Sequence, residues 1–138
     1  MSPIRVLLAD DHTLFRNGVA AALAEHPDIH LVGEASDGIQ AVAQALALVP
    51  DIVLMDISMP EMDGIEATRR IIAELPDVKI VILTVAGEDK SVFEAVKAGA
   101  QGYLLKNVDP RALVETLRSV FQGGGAVSRR MAGKILAE

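Results

Sequence analysis

The sequence predicts a doubly wound α/β sandwich built on a five-stranded parallel sheet. Two observations carry this. Short β-branched apolar runs alternate five times with longer segments of helical period. Three of the runs read as near-continuous Ile, Val and Leu, as strands buried on both faces do. Composition agrees: apolar residues make up 51% and aromatics only 3%, which suits helices on a sheet better than an aromatic-rich sandwich. A length of 138 residues allows one domain with one real core. Right-handed crossovers between parallel strands then give the double winding.

The strands are expected at residues 4–9, 30–35, 51–55, 78–83 and 102–105. After the first comes a helix whose apolar stripe is Leu14, Phe15, Gly18, Val19, Ala22 and Leu23, at spacings of three and four. A second candidate covers residues 39–49, entered through Ser36-Asp37-Gly38. In the third, Asp63 caps the helix with Glu66 as its capping-box partner. The fourth runs from about Glu88 to Lys97 and stops at Ala98-Gly99. The fifth opens with Asp109 as cap and Pro110 at the first helical position, and its stripe is Leu113, Val114, Leu117, Val120 and Phe121. Gly123-Gly124-Gly125 is a hinge, and Ser128 can cap a short helix carrying Met131, Ala132, Ile135 and Leu136 on one side.

Several function classes are excluded or disfavoured. There is no Cys, so disulfides and thiolate metal sites are out. No apolar run is long enough to span a bilayer, and the first residues carry no signal-peptide pattern. A net charge of -6 makes a poor grip for a nucleic-acid backbone, and Lys and Arg are scattered apart from Arg129, Arg130 and Lys134.

The chemistry lies where the apolar runs end. The first ends in Asp10-Asp11, the third in Asp56, the fourth in Thr84 and the fifth in Lys106. In a parallel sheet all these ends share one edge, where open α/β sheets bind ligands. If the strand order reverses between strands one and three, the three carboxylates share a pocket. Such carboxylates repel one another unless they take up protons or hold a cation. All-oxygen ligands with room for water suit Mg²⁺. A carboxylate nucleophile, a divalent metal, an ammonium and a hydroxyl together form a constellation for phosphoryl transfer. Taken singly, each residue has a plainer reading. Asp10-Asp11 can cap the first helix, Lys106 can be a solvated surface Lys, and Tyr103 can be an edge-strand aromatic. His12, His26 and His30 are too spread out to suggest a metal site and are read as structural. Met59 and Met62 are read as loop packing.

The pieces together resemble a response-regulator receiver domain of the CheY-like class, and most of all the NarL-type (LuxR-family) two-component regulators. They are Leu-Leu-Ala-Asp-Asp-His at 7–12, Asp-Ile-Ser-Met-Pro-Glu-Met-Asp-Gly at 56–64, Leu-Thr at 83–84 and Gly-Ala-Gln-Gly-Tyr-Leu-Leu-Lys at 99–106. Val-Gly-Glu-Ala-Ser-Asp-Gly at 32–38 resembles the strand-two exit of the same subfamily. The similarity covers the whole chain, and all five pieces in order make a specific signal.

The resemblance implies a flavodoxin-like sheet in the order 2-1-3-4-5. It implies that Asp56 accepts a phosphoryl group from a sensor histidine kinase. It also implies that Asp11, Asp56 and the Ser58 main-chain carbonyl bind Mg²⁺, with Asp10 acting through metal-bound water. Lys106 would contact the phosphoryl group, while Thr84 and Tyr103 would switch. The protein would then be a cytoplasmic signalling switch with slow autodephosphorylation, not an enzyme, and phosphorylation-dependent homodimers are compatible with it. Residues 1–122 form the receiver. Residues 123–138 form the hinge and a linker helix leading to a helix-turn-helix DNA-binding domain absent from this chain, with a stand-alone receiver as the alternative. Val85 departs from the Ala or Gly common after the switch Thr, and is expected to narrow access to the acyl phosphate.

Three competing functions remain. A flavodoxin-like cofactor protein would need a Ser/Thr/Gly-rich phosphate loop where Asp10-Asp11-His12 stands. A Mg²⁺-dependent phosphohydrolase would carry a second Asp where Ser58 stands. A phosphorylation-independent scaffold would not need the full set of Asp10, Asp11, Asp56, Thr84 and Lys106.

Overall fold

The computed structural model describes residues 2–85 and 87–123. The expected linker helix and basic group beyond the hinge lie outside the described residues. Five strands alternate with five helices: β1 (Ile4–Ala9), α1 (Thr13–Ala24), β2 (Ile29–Ala35), α2 (Gly38–Leu48), β3 (Ile52–Asp56), α3 (Gly64–Glu74), β4 (Lys79–Thr84), α4 (Asp89–Lys97), β5 (Gly102–Leu105) and α5 (Pro110–Phe121). All strand pairs are parallel, in the order β2-β1-β3-β4-β5. This is the flavodoxin-like order that the resemblance implies, and it reverses between β1 and β3.

The near-continuous apolar strands divide their side chains between two cores by simple alternation. Leu7, Ala9, Val53, Met55, Ile80 and Ile82 face one side, against Ala41 and Ala45 of α2, Ala67 and Ile71 of α3, and Val92 and Phe93 of α4. Val6, Leu8, Ile52, Leu54, Val81 and Leu83 face the other, against Val19 and Leu23 of α1 and Leu113, Val114, Leu117 and Val120 of α5. A central strand with both faces covered has no place for a polar residue until it leaves the sheet. The polar residues therefore collect at the strand ends.

Most helix boundaries follow their sequence signals. Asp37 accepts a hydrogen bond from the Gln40 N–H at 2.8 Å, and Asp109 accepts one from Arg111 N–H at 2.8 Å. Gly99 takes φ +125 after α4, in the left-handed region that favours glycine. The capping box at α3 is only half made. Asp63 accepts from Glu66 N–H at 2.9 Å, but the Glu66 carboxylate turns to Arg69 and Arg70 at 2.9 and 3.0 Å. Two guanidiniums within reach at i+3 and i+4 outcompete one backbone N–H.

The stripes expected of the first and fifth helices are broader than the faces that are buried, and the second helix buries only small residues. In α1, Leu14 is 86% exposed and Gly18 is also at the surface, while Val19 and Leu23 are buried. α2 buries its small residues Gly38, Ala41 and Ala45 and leaves Ile39 and Leu46 exposed, and Val49 is its left-handed cap. Phe121 ends its stripe exposed. Met59 is buried and Met62 packs partly against the same core, as expected of loop packing.

Candidate functional site

The sheet register brings the acids together. Ala9 of β1 pairs with Met55 of β3, so one step further along the two strands Asp10 stands beside Asp56. Asp10 is held by its backbone N–H to the Ala35 carbonyl at 3.0 Å, while Arg16 Nη1 donates to its carbonyl at 2.5 Å. Arg16 reaches this point from the first turn of α1 and also pairs with Glu34 at 3.3 Å. It ties the loop after β1 to β2 and α1.

The acids do not cap α1. The residue at the cap position is His12, which makes no side-chain cap bond, and Asp10 Oδ1 accepts from the His12 N–H at 2.8 Å. Asp10 is fully buried (0% exposed), an expensive place for a carboxylate unless it is paired. Its partner is Lys106, whose Nζ stands 2.8 Å from Asp10 Oδ2 and 3.2 Å from Asp56 Oδ2. Only 15% of the Lys106 side chain is exposed, so it is no solvated surface Lys. Its backbone N–H donates to the Thr84 carbonyl at 2.7 Å, fixing where the side chain starts. Phe15 supports the other end, with its ring centroid 5.0 Å from Nζ.

The electrostatics reflect crowding. Burial, followed by the neighbouring Asp10 charge, pushes the Asp56 carboxyl up to about 6, against the opposing pull of Lys106 and the Ser58 N–H. Burial works against the Lys106 ammonium, but its close approach to the Asp10 carboxylate and the charge of Asp56 raise its pKa overall. Among the described residues, Asp10 Oδ2 accepts no well-aligned hydrogen bond despite its close approach to the ammonium. A buried carboxylate oxygen left in that state is a ready cation ligand. One ligand atom each from Asp10, Asp11, His12 and Asp56 falls within 4.8 Å of the others. The donor set fits a hard divalent cation, which would relieve both the unsatisfied oxygen and the mutual repulsion.

His12 is the residue that the sequence reading missed. Its Nδ1 lies 3.0 Å from Asp10 Oδ1, 3.3 Å from Asp11 Oδ1 and 3.1 Å from Lys106 Nζ. The signal was its position directly after Asp10-Asp11. Comparing it only with the distant His26 and His30 concealed that. Those two are placed elsewhere, with His26 beside Arg118 at 3.4 Å.

Thr84 is buried at the end of β4, next to the site but turned within its own loop. Its Oγ1 donates to the Val85 carbonyl at 3.3 Å and to Glu88 Oε2 at 3.5 Å. Tyr103 is half-buried on β5 and packs against the core that β3 and β4 share with α2, α3 and α4. Ser58 is exposed in the loop after β3, with its backbone N–H near enough to the Asp56 carboxylate to favour the ionised form. Val85 is 51% exposed and lines a surface hollow with Leu105, Lys106 and Asn107. The loop after β3 depends on Gly64. A Cβ there would run into the Asp56 carbonyl oxygen. Among the described residues, no helix is long and apolar enough to cross a membrane.

Comparison with known proteins agrees with this geometry. The family model of the response regulator receiver domain matches residues 6–118. The chain is 46% identical over 134 residues to the transcriptional regulatory protein LiaR of Bacillus subtilis, covering 97% of this chain and 64% of that protein. It is 36% identical over 129 residues to the nitrate/nitrite response regulator NarL of Escherichia coli, covering 94% of this chain and 60% of that protein. The chain thus spans a little under two thirds of the length of these curated relatives. Among solved structures, a LuxR-family two-component response regulator from Aurantimonas sp. SI85-9A1 superposes with a TM-score of 0.87 at 34% identity, covering 99% of this chain and 97% of that one. The signal receiver domain of the putative response regulator NarL from Mycobacterium tuberculosis does so with a TM-score of 0.84 at 35% identity, covering 89% of this chain and 99% of that one. The chain belongs to the response regulator receiver domain family, of the NarL/LuxR type, and is a signalling protein of two-component systems.

Proposed function

We propose that Asp56 is the phosphoacceptor and that a sensor histidine kinase is the donor. The observation that carries this is the buried Asp10–Lys106–Asp56 arrangement, with two carboxylates sharing one ammonium at the sheet edge. In the transfer, an Asp56 carboxylate oxygen supplies the electron pair for a new O–P bond. The P–N bond of a kinase phosphohistidine breaks, and its electron pair stays on the imidazole nitrogen. Lys106 lies close enough to Asp56 to reach the incoming phosphoryl oxygens, and its charge offsets theirs as they approach. The nearby Ser58 N–H favours the ionised, nucleophilic form of the Asp56 carboxylate.

Mg²⁺, when bound, supplies further charge neutralisation on the phosphoryl oxygens. Asp10, Asp11 and Asp56 would hold it, with the Ser58 carbonyl as a further oxygen ligand and Asp10 acting mainly through metal-bound water. The same arrangement allows self-phosphorylation from small phosphodonors and slow autodephosphorylation.

The readout follows from the neighbours of the site. Thr84 exchanges its bonds to Val85 and Glu88 for one to the phosphoryl group, and Tyr103 moves into the space released. Packing carries the change to α4, β5 and α5. In a protein as long as the relatives, this face controls a DNA-binding effector domain and hence transcription, with homodimerisation as one means, in the cytoplasm. A stand-alone receiver and a phosphorylation-independent scaffold are the other readings. The intact set of site residues favours phosphorylation over the scaffold.

The test is amide NMR of the protein with Mg²⁺, before and after addition of beryllofluoride, which mimics the phosphoryl group. Shifts at Asp56, Thr84 and Lys106 that extend to Tyr103 support the switch. Shifts confined to the loop after β3 would remove it.

A further inference from the structure

His12 Nδ1 faces acceptors and a donor at once. It stands 3.0 Å from Asp10 Oδ1 and 3.3 Å from Asp11 Oδ1, which are both acceptors, and 3.1 Å from the Lys106 ammonium, which can only donate. With a proton on Nδ1 the ring serves the carboxylates and opposes Lys106. Without it the lone pair accepts from Lys106 and opposes the carboxylates. A divalent cation between the ring and the acids resolves the conflict, since lone pair and carboxylates then all point at positive charge.

The distances fit that occupant. Adjacent ligands of an octahedral ion with bonds of about 2.1 Å stand roughly 3 Å apart. Nδ1 is at that spacing from one Asp10 oxygen and close to it from one Asp11 oxygen. The buried Asp10 carboxylate gives independent support. Its second oxygen accepts no well-aligned hydrogen bond among the described residues and has only the Lys106 ammonium beside it at 2.8 Å, and one oxygen of this carboxylate belongs to the same cluster.

A set of carboxylates alone prefers hard Mg²⁺. An imidazole nitrogen changes the preference, because it suits Mn²⁺, Co²⁺ and Zn²⁺ and adds little for Mg²⁺. We propose that His12 Nδ1 is a direct ligand of this cation site, which therefore takes a divalent transition cation through an N,O donor set as well as Mg²⁺ through oxygens alone. This rests on the reading of the acidic pocket as a cation site and deepens it. The ring is 66% exposed, so it can enter or leave the coordination sphere without disturbing the core. A cation bound by His12 would take an Asp10 oxygen directly, where Mg²⁺ reaches Asp10 mainly through water, and Lys106 keeps Asp56 as its partner in either case.

The experiment measures Co²⁺ and Mg²⁺ separately by titration calorimetry on the wild-type chain, His12→Ala and Asp11→Asn, with proton NMR of the Co²⁺-loaded forms. Thermal melts confirm that each variant is folded. The expected result is a loss of about tenfold or more in Co²⁺ affinity for His12→Ala, with Mg²⁺ affinity within about twofold of wild type. Hyperfine-shifted imidazole signals should be present in the wild type and absent from His12→Ala. Equal Co²⁺ affinity in wild type and His12→Ala would overturn the proposal, as would equal losses for the two ions, since His12 would then only shape the pocket. If neither ion binds the wild type, or if Asp11→Asn changes nothing, the cation-site reading itself fails, and that outcome is distinct from loss of the His12 role alone.

Discussion

The ammonium of Lys106 stands closer to Asp10, at 2.8 Å, than to Asp56, at 3.2 Å. Lys106 is thus first the counter-ion of a fully buried carboxylate and only second a neighbour of the proposed phosphoacceptor. One cation serves two anions, so removing it leaves both without compensation. Lys106→Met is expected to destabilise the metal-free protein by about 2–3 kcal/mol, below a fully buried pair because the site opens to solvent. Saturating Mg²⁺ should recover much of the loss. Urea denaturation with and without Mg²⁺ measures both, and a loss unchanged by Mg²⁺ would separate Lys106 from the cation site.

Asp56 sets a pH dependence. Its carboxyl is raised from 3.8 to about 6 in the fold, so the folded state holds the proton more tightly than the unfolded chain. The contribution to stability is therefore greatest below pH 3.8 and is lost as pH rises through about 6. At neutral pH the ionised group costs on the order of 1–3 kcal/mol. Asp56→Asn is expected to be more stable than wild type by that amount at pH 7 without Mg²⁺, and to lose the advantage near pH 4. Stability curves against pH would contradict this if the gain were independent of pH.

Gly64 is where the backbone of α3 meets the carbonyl of Asp56. Its N–H donates to the Ile57 carbonyl at 2.8 Å, and an added Cβ would meet main chain, which cannot swing aside as a flexible side chain can. Gly64→Ala is expected to cost about 2–4 kcal/mol and to displace the phosphoacceptor loop. Calorimetric melting together with the rate of phosphorylation from acetyl phosphate checks it. A stable variant with wild-type rates would show that the loop yields.

Val85 stands half-exposed beside Lys106. The expectation from its position after Thr84 is that the branched side chain narrows access to an acyl phosphate on Asp56. Val85→Ala is expected to speed loss of the phosphoryl group several-fold, read from the decay of phosphoprotein by mass. A decay that is unchanged or slower would remove the obstruction.

The strands were legible because both their faces are buried, and double burial writes itself as Ile-Val-Leu runs such as residues 52–55. The strand order was not written in that pattern. It came through the resemblance, and the pairing of Ala9 with Met55 is what places Asp10 beside Asp56. Asp10, Asp56 and Lys106 were legible because a polar residue closing an apolar run must emerge at the edge. His12 carried only the local signal of standing directly after Asp10-Asp11, and its contact with Lys106, 94 residues away, was not written in the sequence. Leu14 was misassigned because helical spacing defines a stripe but not how much of it a sheet of this width can cover. Glu66 was misassigned because the competition from Arg69 and Arg70 lies outside the capping motif.

The proposed role of Asp56 is to take a phosphoryl group in this acidic site with help from Mg²⁺. Intact-protein mass after incubation with acetyl phosphate, with and without Mg²⁺ and beside an Asp56→Ala control, tests it most directly. The expected result is the added mass of one phosphoryl group on the wild type with Mg²⁺, and none when either Mg²⁺ or the Asp56 carboxylate is missing. A folded wild-type protein that gains no mass with Mg²⁺, or an Asp56→Ala variant that gains it equally, would contradict the account.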